Sequence, residues 1–383
     1  MVIAIDAHSL EKGRTGQGRY LINLLKFWSR LNEFRFVLYF QKEIPQDKIL
    51  KSDCFIKKIL KAPFRIQSNA FWQHFLLPKA CLKDKIDILF SPSYLLPFGW
   101  RGKSIVTLHD ISYEVHPQWF TPANRFLLQK ISKVAAKKAT AILVPSEFTK
   151  REIVRYYCLP QSKIYVTPLA PDEQFKPLRN ENKFKKIKKH YKIKNRVILY
   201  IGSIFNRRHI PELIEAFEKI AKRFLEYQIL IIGTNHTYPF IDIQSLIKET
   251  NERLGWTAIL QTDWVPEEDL PWLYNISDLT ILLSDYEGFG FSVLEAMACG
   301  VPVVTTNLGS IPEVVDNCAL FVDDPTDIKE IAKVIHQGLT DESLRNDLTE
   351  RGLIQAKKFS WEKCARETLD ILLKKCYSKL DEG

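Results

Sequence analysis

The stretch SDYEGFGFSVLEAMACGVPVVT, Ser284–Thr305, contains the pattern that decides the fold. An apolar, branched run just before it, Leu279–Leu283, predicts a buried strand, and the glycines that follow predict a turn. Helix formers at Phe291–Ala298 predict a helix, which Gly300 ends. A second strand, Val301–Thr305, then follows. This order of strand, glycine turn, helix and strand is the unit from which parallel α/β sheets are built.

Two glutamates in this stretch, Glu287 and Glu295, predict its chemistry. The free N–H groups of the first helical turn point to the carboxyl end of the strand, where a phosphate can bind. Glu287 is expected at that end, and Glu295 is expected one turn into the helix, facing the same crevice. The two carboxylates could then bind sugar and ribose hydroxyls on opposite sides of a diphosphate. The alternative is that Glu287 caps the helix and Glu295 is a solvated surface residue.

Length and composition predict a globular protein with two domains of ordinary size, since the chain has 383 residues and is 46% hydrophobic. No apolar run approaches the roughly 20 residues of a membrane span, and the residues after Met1 read as a strand and not as a signal peptide. These features predict a cytoplasmic protein. The seven cysteines show neither C-x-x-C pairing nor metal spacing, which predicts reduced, buried thiols.

The net charge of +10 is concentrated in one block, Lys176–Arg196, where ten Lys and Arg residues accompany a single acid, Glu181. Such a block is typical of a solvated surface helix, but it could also attract phosphates. A basic nucleic-acid-binding module would account for the block. It would not account for the paired glutamates, so no nucleic acid is predicted as a partner.

Near the N-terminus, Val2–Ile5 predicts a first strand, and Gly16-Gln17-Gly18-Arg19-Tyr20 is predicted to follow a polar loop and open a helix over Tyr20–Arg30. The two glycines do not form a dinucleotide fingerprint, because Leu21 stands where the third glycine would be. A simple turn explains them equally well.

The rest of this half alternates short branched runs with helical segments, which predicts a doubly wound α/β domain. The runs are Phe36–Phe40, Asp87–Phe90, Ser104–Leu108, Ala141–Val144 and Ile164–Thr167. His109 follows one of these strands, at the end where open α/β sheets bind ligands, and the loop His116–Phe120 is expected beside the same cleft. His109 could also be structural. The apolar segment Phe71–Leu77 predicts a helix that packs in the core or faces an acceptor or a membrane.

Prolines break the chain after Thr167, and a new strand is predicted at Val197–Ile201. This places the domain boundary so that residues 1–172 form the N-terminal domain, together with a C-terminal helix at 360–383, and residues 173–359 form the C-terminal domain. Arg207 and Arg208 follow the new strand. They could neutralise a diphosphate or be ordinary surface charges.

Taken together, these motifs resemble glycosyltransferase family 4, whose members are retaining enzymes of the GT-B fold. The matching segments are Gly16–Tyr20, His109-Asp110, Pro145–Phe148, Gly202–His209 with Ala216-Phe217, the E-x7-E pair of Glu287 and Glu295, and Phe359–Trp361. The resemblance implies two Rossmann-like doubly wound domains facing a central cleft. The N-terminal domain would bind the acceptor and the C-terminal domain the nucleotide-sugar, while the C-terminal helix would cross back to the N-terminal domain.

The resemblance also implies roles for individual residues. Glu287 with the backbone of Phe289 and Gly290 would hold the donor sugar, Glu295 the ribose, Arg207 and Arg208 the diphosphate, and Val265 would lie near the base, while Gly16 and Gly18 would approach the donor and the acceptor and His109 would lie beside the transferred sugar. One departure is that Arg208-His209 stands where the family usually has Lys followed by Asn or Gly. A flat guanidinium contacts phosphate differently from an ammonium group.

The reaction implied is α-glycosyl transfer with retention, without a cofactor and without a metal, since no Asp-x-Asp motif falls at a donor-binding strand end. GDP-mannose is the expected donor, with a UDP-hexose as the alternative. A glycan or lipid-linked acceptor at the inner membrane surface would fit the net charge and the exposed-looking Trp72 and Trp119. A nucleotide-sugar epimerase of the same fold is a second alternative, because it would use a similar cleft.

Overall fold

The computed structural model describes residues 1–12, 16–31, 33–62 and 68–377. The chain divides into two units. Unit 1 contains Met1–Val115, Pro122–Leu169 and Ser360–Gly383, and unit 2 contains His116–Thr121 and Ala170–Phe359. The segment His116–Thr121 therefore belongs to unit 2, although the predicted boundary at residue 172 assigns it to the first domain.

Unit 1 is built on a seven-stranded parallel sheet with the strand order β3-β2-β1-β4-β5-β6-β7. The strands are β1 Val2–Asp6, β2 Arg35–Phe40, β3 Phe55–Ile59, β4 Ile88–Ser91, β5 Lys103–Thr107, β6 Ala141–Val144 and β7 Ile164–Val166. Strand β3 has no counterpart among the predicted runs. It is an edge strand of sequence FIKKI in which only Phe55 is buried, so it lacks the apolar run that marks an inner strand.

The helices of unit 1 are α1 Gly16–Trp28, α2 Asn69–Phe71, α3 Leu77–Lys83, α4 Ser112–Val115, α5 Pro122–Lys138, α6 Glu147–Tyr157 and the C-terminal helix Trp361–Tyr377. Helix α1 starts earlier than the predicted Tyr20, so Gly16 and Gly18 lie in its first turn and not in a loop before it. The end of the predicted loop, residues 13–15, lies outside the described residues.

The C-terminal helix packs on α1 within unit 1. The indole nitrogen of Trp28 donates a hydrogen bond to the carbonyl oxygen of Ala365 at 3.0 Å, and the Trp28 ring stacks on Phe36 at 5.3 Å between centroids. The last helix of the chain thus shares the core of the first sheet, since Trp28 is also fully buried.

The apolar segment Phe71–Leu77 forms a π-helical turn, Trp72–Leu76, between α2 and α3. This turn directs Trp72 inward, where it is 1% exposed and lies 5.6 Å from the His8 ring, so the expectation that Trp72 is exposed is wrong. Phe75 in the same turn is 64% exposed. The segment therefore serves both the core and the surface.

Unit 2 is built on a six-stranded parallel sheet with the order β10-β9-β8-β11-β12-β13. The strands are β8 Arg196–Ile201, β9 Tyr227–Ile232, β10 Ile259–Thr262, β11 Ser277–Leu282, β12 Val303–Thr306 and β13 Leu320–Val322. The helices are α7 Glu181–His190, α8 Ile210–Ala221, α9 Ile243–Leu254, α10 Leu270–Asn275, α11 Phe291–Ala298, α12 Ile311–Val315, α13 Ile328–Thr340 and α14 Glu342–Ala356.

The basic block contains helix α7, in which Ile187 is the buried residue and most lysines lie at the surface. The helix is held to unit 2 through Asp269, which accepts a hydrogen bond from the Tyr191 hydroxyl at 2.7 Å and lies 3.8 Å from the Lys183 ammonium group. This arrangement fits the interpretation as a surface helix.

The seven cysteines are free, but Cys158 is exposed, which corrects the expectation that all of them are buried. Within the part of the chain that the structure describes, no helix has the length and apolar character needed to cross a membrane.

Candidate functional site

The order of the strands in unit 2 places two loops side by side. Strand β8 pairs with β9 on one side and with β11 on the other, so the connections leave β8 and β11 in opposite directions. In an open parallel sheet, such a point leaves a crevice at the carboxyl ends of the two strands, where ligands bind. The loop after β8 carries Arg207 and Arg208, and the loop after β11 carries Glu287.

Local sequence fixes the shape of both loops. After β8, Asn206–Arg208 forms a 3-10 turn, and α8 follows with Pro211 in its first turn, where the lack of an N–H group costs nothing. After β11, Gly290 caps α11 with a φ of +96°, and a Cβ atom at this residue would lie 2.7 Å from Cδ1 of Ile311. Glycine is therefore favoured at position 290 by the positive φ, and a larger residue would also require the end of the Ile311 side chain to shift.

Arg208 and Glu287 form a two-point ion pair. Nε of Arg208 donates to Oε1 of Glu287 at 2.8 Å, and a terminal nitrogen donates to Oε2 at 3.1 Å. The other terminal nitrogen of Arg208 donates to the carbonyl oxygen of Ser203 at 3.0 Å, and the hydroxyl of Ser284 donates to Oε1 of Glu287 at 2.9 Å. The two side chains are 14% and 11% exposed. The residues predicted to hold the diphosphate and the sugar thus contact each other.

Both members of this pair are charged at neutral pH. Burial alone would raise the pKa of Glu287, but the nearby Arg208 and Arg207 and the hydrogen bonds outweigh it and lower that pKa below its usual range. Burial alone would lower the pKa of Arg208, but Glu287 outweighs it and raises that pKa. The site therefore contains a desolvated ion pair of fixed geometry.

Arg207 is bound differently. Its Nε donates to the carbonyl oxygen of Tyr286 at 3.2 Å, and its guanidinium group lies 4.3 Å from the ring centroid of Phe205 and 5.8 Å from that of Trp119. Considering the described residues alone, Arg207 forms no ion pair within 4.0 Å. Its charge is therefore available to an anion, while the aromatic rings hold the guanidinium in place.

Trp119 belongs to the segment of residues 116–121 that is part of unit 2. It is half-buried, and its ring stacks on that of His116 at 3.9 Å between centroids, while His116 contacts the Tyr286 ring edge to face at 5.6 Å. The expectation of an exposed Trp119 is therefore wrong, since this ring packs against His116.

Glu295 lies inside α11 and is 2% exposed. Its Oε2 accepts a hydrogen bond from the hydroxyl of Tyr274 at 2.9 Å, so it is not a solvated surface residue. Glu287 is not a helix cap either, because Gly290 occupies that position and makes no side-chain cap. The structure thus excludes a helix-capping role for Glu287 and a solvated surface position for Glu295.

The other candidates of unit 2 are largely buried. Phe289 is 5% exposed, and its ring lies edge to face with those of Phe291 and Phe359 at 5.6 and 5.7 Å. Val265 follows strand β10 and is 4% exposed. Phe289 and Gly290 share a loop with Glu287, whereas Val265 lies in a different loop.

In unit 1, His109 follows β5 by two residues. Its Nε2 lies 3.0 Å from the carbonyl oxygen of Pro92, and its ring is edge to face with Tyr20 at 5.1 Å. Burial lowers the pKa of His109, although the Pro92 carbonyl and Asp110 oppose this effect. Because a carbonyl only accepts, the neutral ring carries its proton on Nε2 and leaves Nδ1 as an acceptor. Gly16 at the start of α1 is exposed, whereas Gly18 is buried.

Sequence reasoning missed the residues that hold the site together. Ser284 contacts Glu287, Tyr274 contacts Glu295, and His209 lies 3.0 Å from Asp285. Of these, only His209 was marked in the sequence, as a departure from the family's usual Asn or Gly. Ser284 could also have been found, because a hydroxyl residue directly after a predicted strand is a common hydrogen-bond donor or acceptor for the loop that follows.

Two family models and a curated relative match nearly the whole of this chain. Residues 181–354 match the family described as glycosyl transferases group 1, and residues 14–175 match Glycosyltransferase Family 4. O-antigen chain mannosyltransferase B of Escherichia coli is 32% identical over 97% of this chain and 99% of its own length. These matches identify a glycosyltransferase enzyme.

The family follows from the same matches together with the fold. Serotype-specific mannosyltransferase WbdA of Escherichia coli is 26% identical over 70% of this chain, which spans about a third (33%) of that longer relative. Anabaena Alr3699/HepE in complex with UDP-glucose has the same fold, with a TM-score of 0.74 and 16% identity over 97% of this chain and 99% of its own. The chain belongs to the group 1 glycosyltransferases of family 4, with two Rossmann-like domains of the GT-B type.

Proposed function

We propose that this chain is a retaining mannosyltransferase that transfers mannose from GDP-mannose to a glycan or lipid-linked acceptor. The observation that carries the proposal is the cluster of Arg207, Arg208 and Glu287 at the point where β8 and β11 diverge. It combines two cations with a carboxylate of fixed orientation. This is the set of groups needed to bind a diphosphate on one side and sugar hydroxyls on the other.

In this proposal Arg207 is the principal diphosphate ligand, because its charge is not paired with a carboxylate. Arg208 holds Glu287, whose oxygens accept hydrogen bonds from the donor sugar. The backbone of Phe289 and Gly290 binds the same sugar just before α11, and the dipole at the N-terminus of that helix favours the negative charge of the diphosphate. Glu295 contributes to ribose binding and Val265 to the base site, while Gly16 and Gly18 approach the donor and the acceptor.

The chemical step requires stabilisation of the negative charge that develops on the leaving diphosphate. Arg207 and the N-terminal amides of α11 supply that stabilisation without a metal ion, while Arg208 holds Glu287 in place. The departing phosphate oxygen accepts the proton of the acceptor hydroxyl on the same face, which retains the α configuration. We assign His109 to the transferred sugar, and its neutral ring, with the proton on Nε2, would offer Nδ1 as a hydrogen-bond acceptor.

The choice of mannose is supported by the names of two relatives, which are both mannosyltransferases. The name of the first of them also supports an acceptor of the O-antigen type. A UDP-hexose donor is the alternative, because HepE binds UDP-glucose in the same fold. An epimerase would convert its donor without an acceptor, so product analysis with labelled donor separates the two reactions.

An exposed aromatic surface in unit 1 supports contact with the inner membrane. Phe75 and Phe98 are 64% and 56% exposed, Phe98 stacks on His74 at 4.0 Å, and the Lys138 ammonium donates to the Phe98 carbonyl at 2.6 Å. Aromatic side chains next to a cation suit an anionic lipid surface. The wild type should float with vesicles that contain phosphatidylglycerol. A Phe75→Ser/Phe98→Ser variant should not, whereas the control Ile354→Ser, at a residue 57% exposed in unit 2, should float normally.

The decisive experiment is a thermal-shift screen with GDP, UDP and ADP, followed by a transfer assay with the matching nucleotide-sugar. A ligand that binds only the folded state raises the melting temperature, with a stabilisation of about 2.7 kcal/mol at 100 times its Kd. GDP is expected to give the largest shift, and Arg207→Ala is expected to lose most of it. A shift with UDP but not with GDP would refute GDP-mannose as the donor, but the protein would still be a glycosyltransferase.

A further inference from the structure

His209 occupies an unusual place beside the two arginines. Its backbone has φ +46° and ψ +44°, a left-handed conformation that few residues other than glycine and asparagine adopt. The residue is 7% exposed. Its Nε2 lies 3.0 Å from Oδ1 of Asp285, and its Nδ1 lies 3.4 Å from Oε1 of Glu212. The side chain thus lies between two carboxylates, at ion-pair distances and without a hydrogen bond of regular geometry.

Two carboxylates contact this imidazole, and a third lies within range of its charge. Glu212 is in α8, Asp285 is in the loop after β11, and Asp324 follows β13. The pKa of Asp324 is lowered first by hydrogen bonds from Thr326 and also by the charge of His209. Burial alone would lower the pKa of His209, but Asp285 and Glu212 outweigh it and raise that pKa to about 9. The ring is therefore a cation at neutral pH.

The same loop segments are joined by two further contacts. The backbone N–H of Asp285 donates to the carbonyl oxygen of Arg207 at 3.0 Å, and Nε of Arg207 donates to the carbonyl oxygen of Tyr286 at 3.2 Å. Asp285 is thus attached to the backbone of Arg207, the arginine that forms no ion pair with any residue the structure describes. A carboxylate released at this place could pair with Arg207 and compete with an anionic ligand.

We propose that His209 is a positioning residue for donor binding, which holds the carboxylate of Asp285 and so keeps Arg207 available to the diphosphate. This inference rests on the proposed function, in which Arg207 is a diphosphate ligand. In a purely structural role, loss of His209 would weaken nucleotide binding by disturbing the loop. In the role proposed here, binding weakens because the carboxylate of Asp285 then competes for Arg207. Removal of that carboxylate should then restore binding.

The test is calorimetric titration of the full-length protein with GDP, and in parallel with UDP. His209→Asn keeps a residue that tolerates the left-handed conformation and removes the cation. It should weaken nucleotide binding about tenfold at pH 7, which corresponds to about 1.4 kcal/mol. The double variant His209→Asn/Asp285→Asn should recover most of the affinity. The control His190→Asn, at an exposed histidine in α7, should bind as the wild type does.

The pH dependence gives an independent readout. The folded-state pKa of His209 lies above its usual value of 6.5, so the cation is fully present below pH 6.5 and is lost as the pH rises through about 9. Wild-type affinity should therefore fall between about pH 8 and 10. Asp285→Asn alone, which leaves His209 in place, should bind normally at pH 7 and show a smaller alkaline loss.

The outcomes are distinguishable. Unchanged affinity in His209→Asn would overturn the inference and leave the proposed function intact. The same holds if the double variant does not recover binding and Asp285→Asn alone shows the alkaline loss of the wild type. If the wild type binds neither GDP nor UDP, both are overturned. Should His209→Asn not fold, the Asp285→Asn variant and the wild-type pH profile still decide the question.

Discussion

Replacing Arg208 with Ala should destabilise the protein more than removing an ordinary surface charge. The substitution leaves the carboxylate of Glu287, whose side chain is 11% exposed, without the guanidinium that binds both of its oxygens. The hydroxyl of Ser284 remains as a donor, and Arg207 remains as a nearby charge. The residual carboxylate is therefore only partly compensated.

The magnitude follows from the burial of the pair. Loss of one partner of a buried ion pair typically costs about 3–5 kcal/mol, and the remaining donors place Arg208→Ala near the lower end. For a domain the size of unit 2, each kcal/mol lowers the melting temperature by about 2–4 °C, so a fall of about 6–12 °C is expected. The double variant Arg208→Met/Glu287→Gln removes both charges and should lie within about 1 kcal/mol of the wild type.

The assay is thermal unfolding of the ligand-free proteins, monitored by circular dichroism. A matched control is Arg253→Ala, which also breaks a two-point pair, with Glu218, but on the surface, where Arg253 is 50% exposed. It should lower the stability by less than about 1 kcal/mol. If Arg208→Ala melts like this control, or if the double variant is as unstable as the single one, the buried pair does not have the assigned energetic role.

Four further variants concern these two loops and helix α11. Arg207→Ala should leave the melting temperature nearly unchanged but weaken calorimetric binding of GDP by about 2–4 kcal/mol, since it removes an unpaired cation, and equal affinity would assign it to the surface. Glu287→Ala should nearly abolish transfer in a fixed-time assay, and near-normal turnover of this variant would contradict its role. Glu295→Ala should chiefly raise KM, and because it removes the carboxylate that accepts the buried Tyr274 hydroxyl, it should also cost about 1–3 kcal/mol of stability. Gly290→Ala should lower the free energy of unfolding by at least about 1 kcal/mol and hence the melting temperature, because alanine is strained at a φ of +96°, and a wild-type melting curve would contradict this.

Much of the fold could be predicted because glycine and proline residues mark where many of its helices and strands begin and end. The helix Phe291–Ala298 has the predicted bounds, since glycines stand on both sides of it. Strand β3 was missed because its lysines at an exposed edge break the apolar pattern. Trp72 was placed on the surface because sequence spacing cannot reveal the π-helical turn that directs it inward.

The candidate site was predictable as a set of positions but not as a set of contacts. Arg208 and Glu287 are 79 residues apart, and their pairing depends on β8 and β11 being neighbours in the sheet. Strand order is a property of the whole domain, set by which buried faces pack together, and no local pattern encodes it. The same holds for His209 and Asp285, whose contact joins the same two loops.

The adjacent arginines illustrate why contacts matter for mechanism. If Arg208 were to leave Glu287 and bind a phosphate, the site would have to compensate a buried carboxylate, at a cost of about 3–5 kcal/mol. Arg207 can accept the same phosphate without breaking an ion pair, because its guanidinium is held by aromatic rings and one carbonyl oxygen. In the proposed function the two residues therefore act differently. Arg207 contributes affinity for the diphosphate, whereas Arg208 fixes the orientation of the carboxylate that meets the sugar.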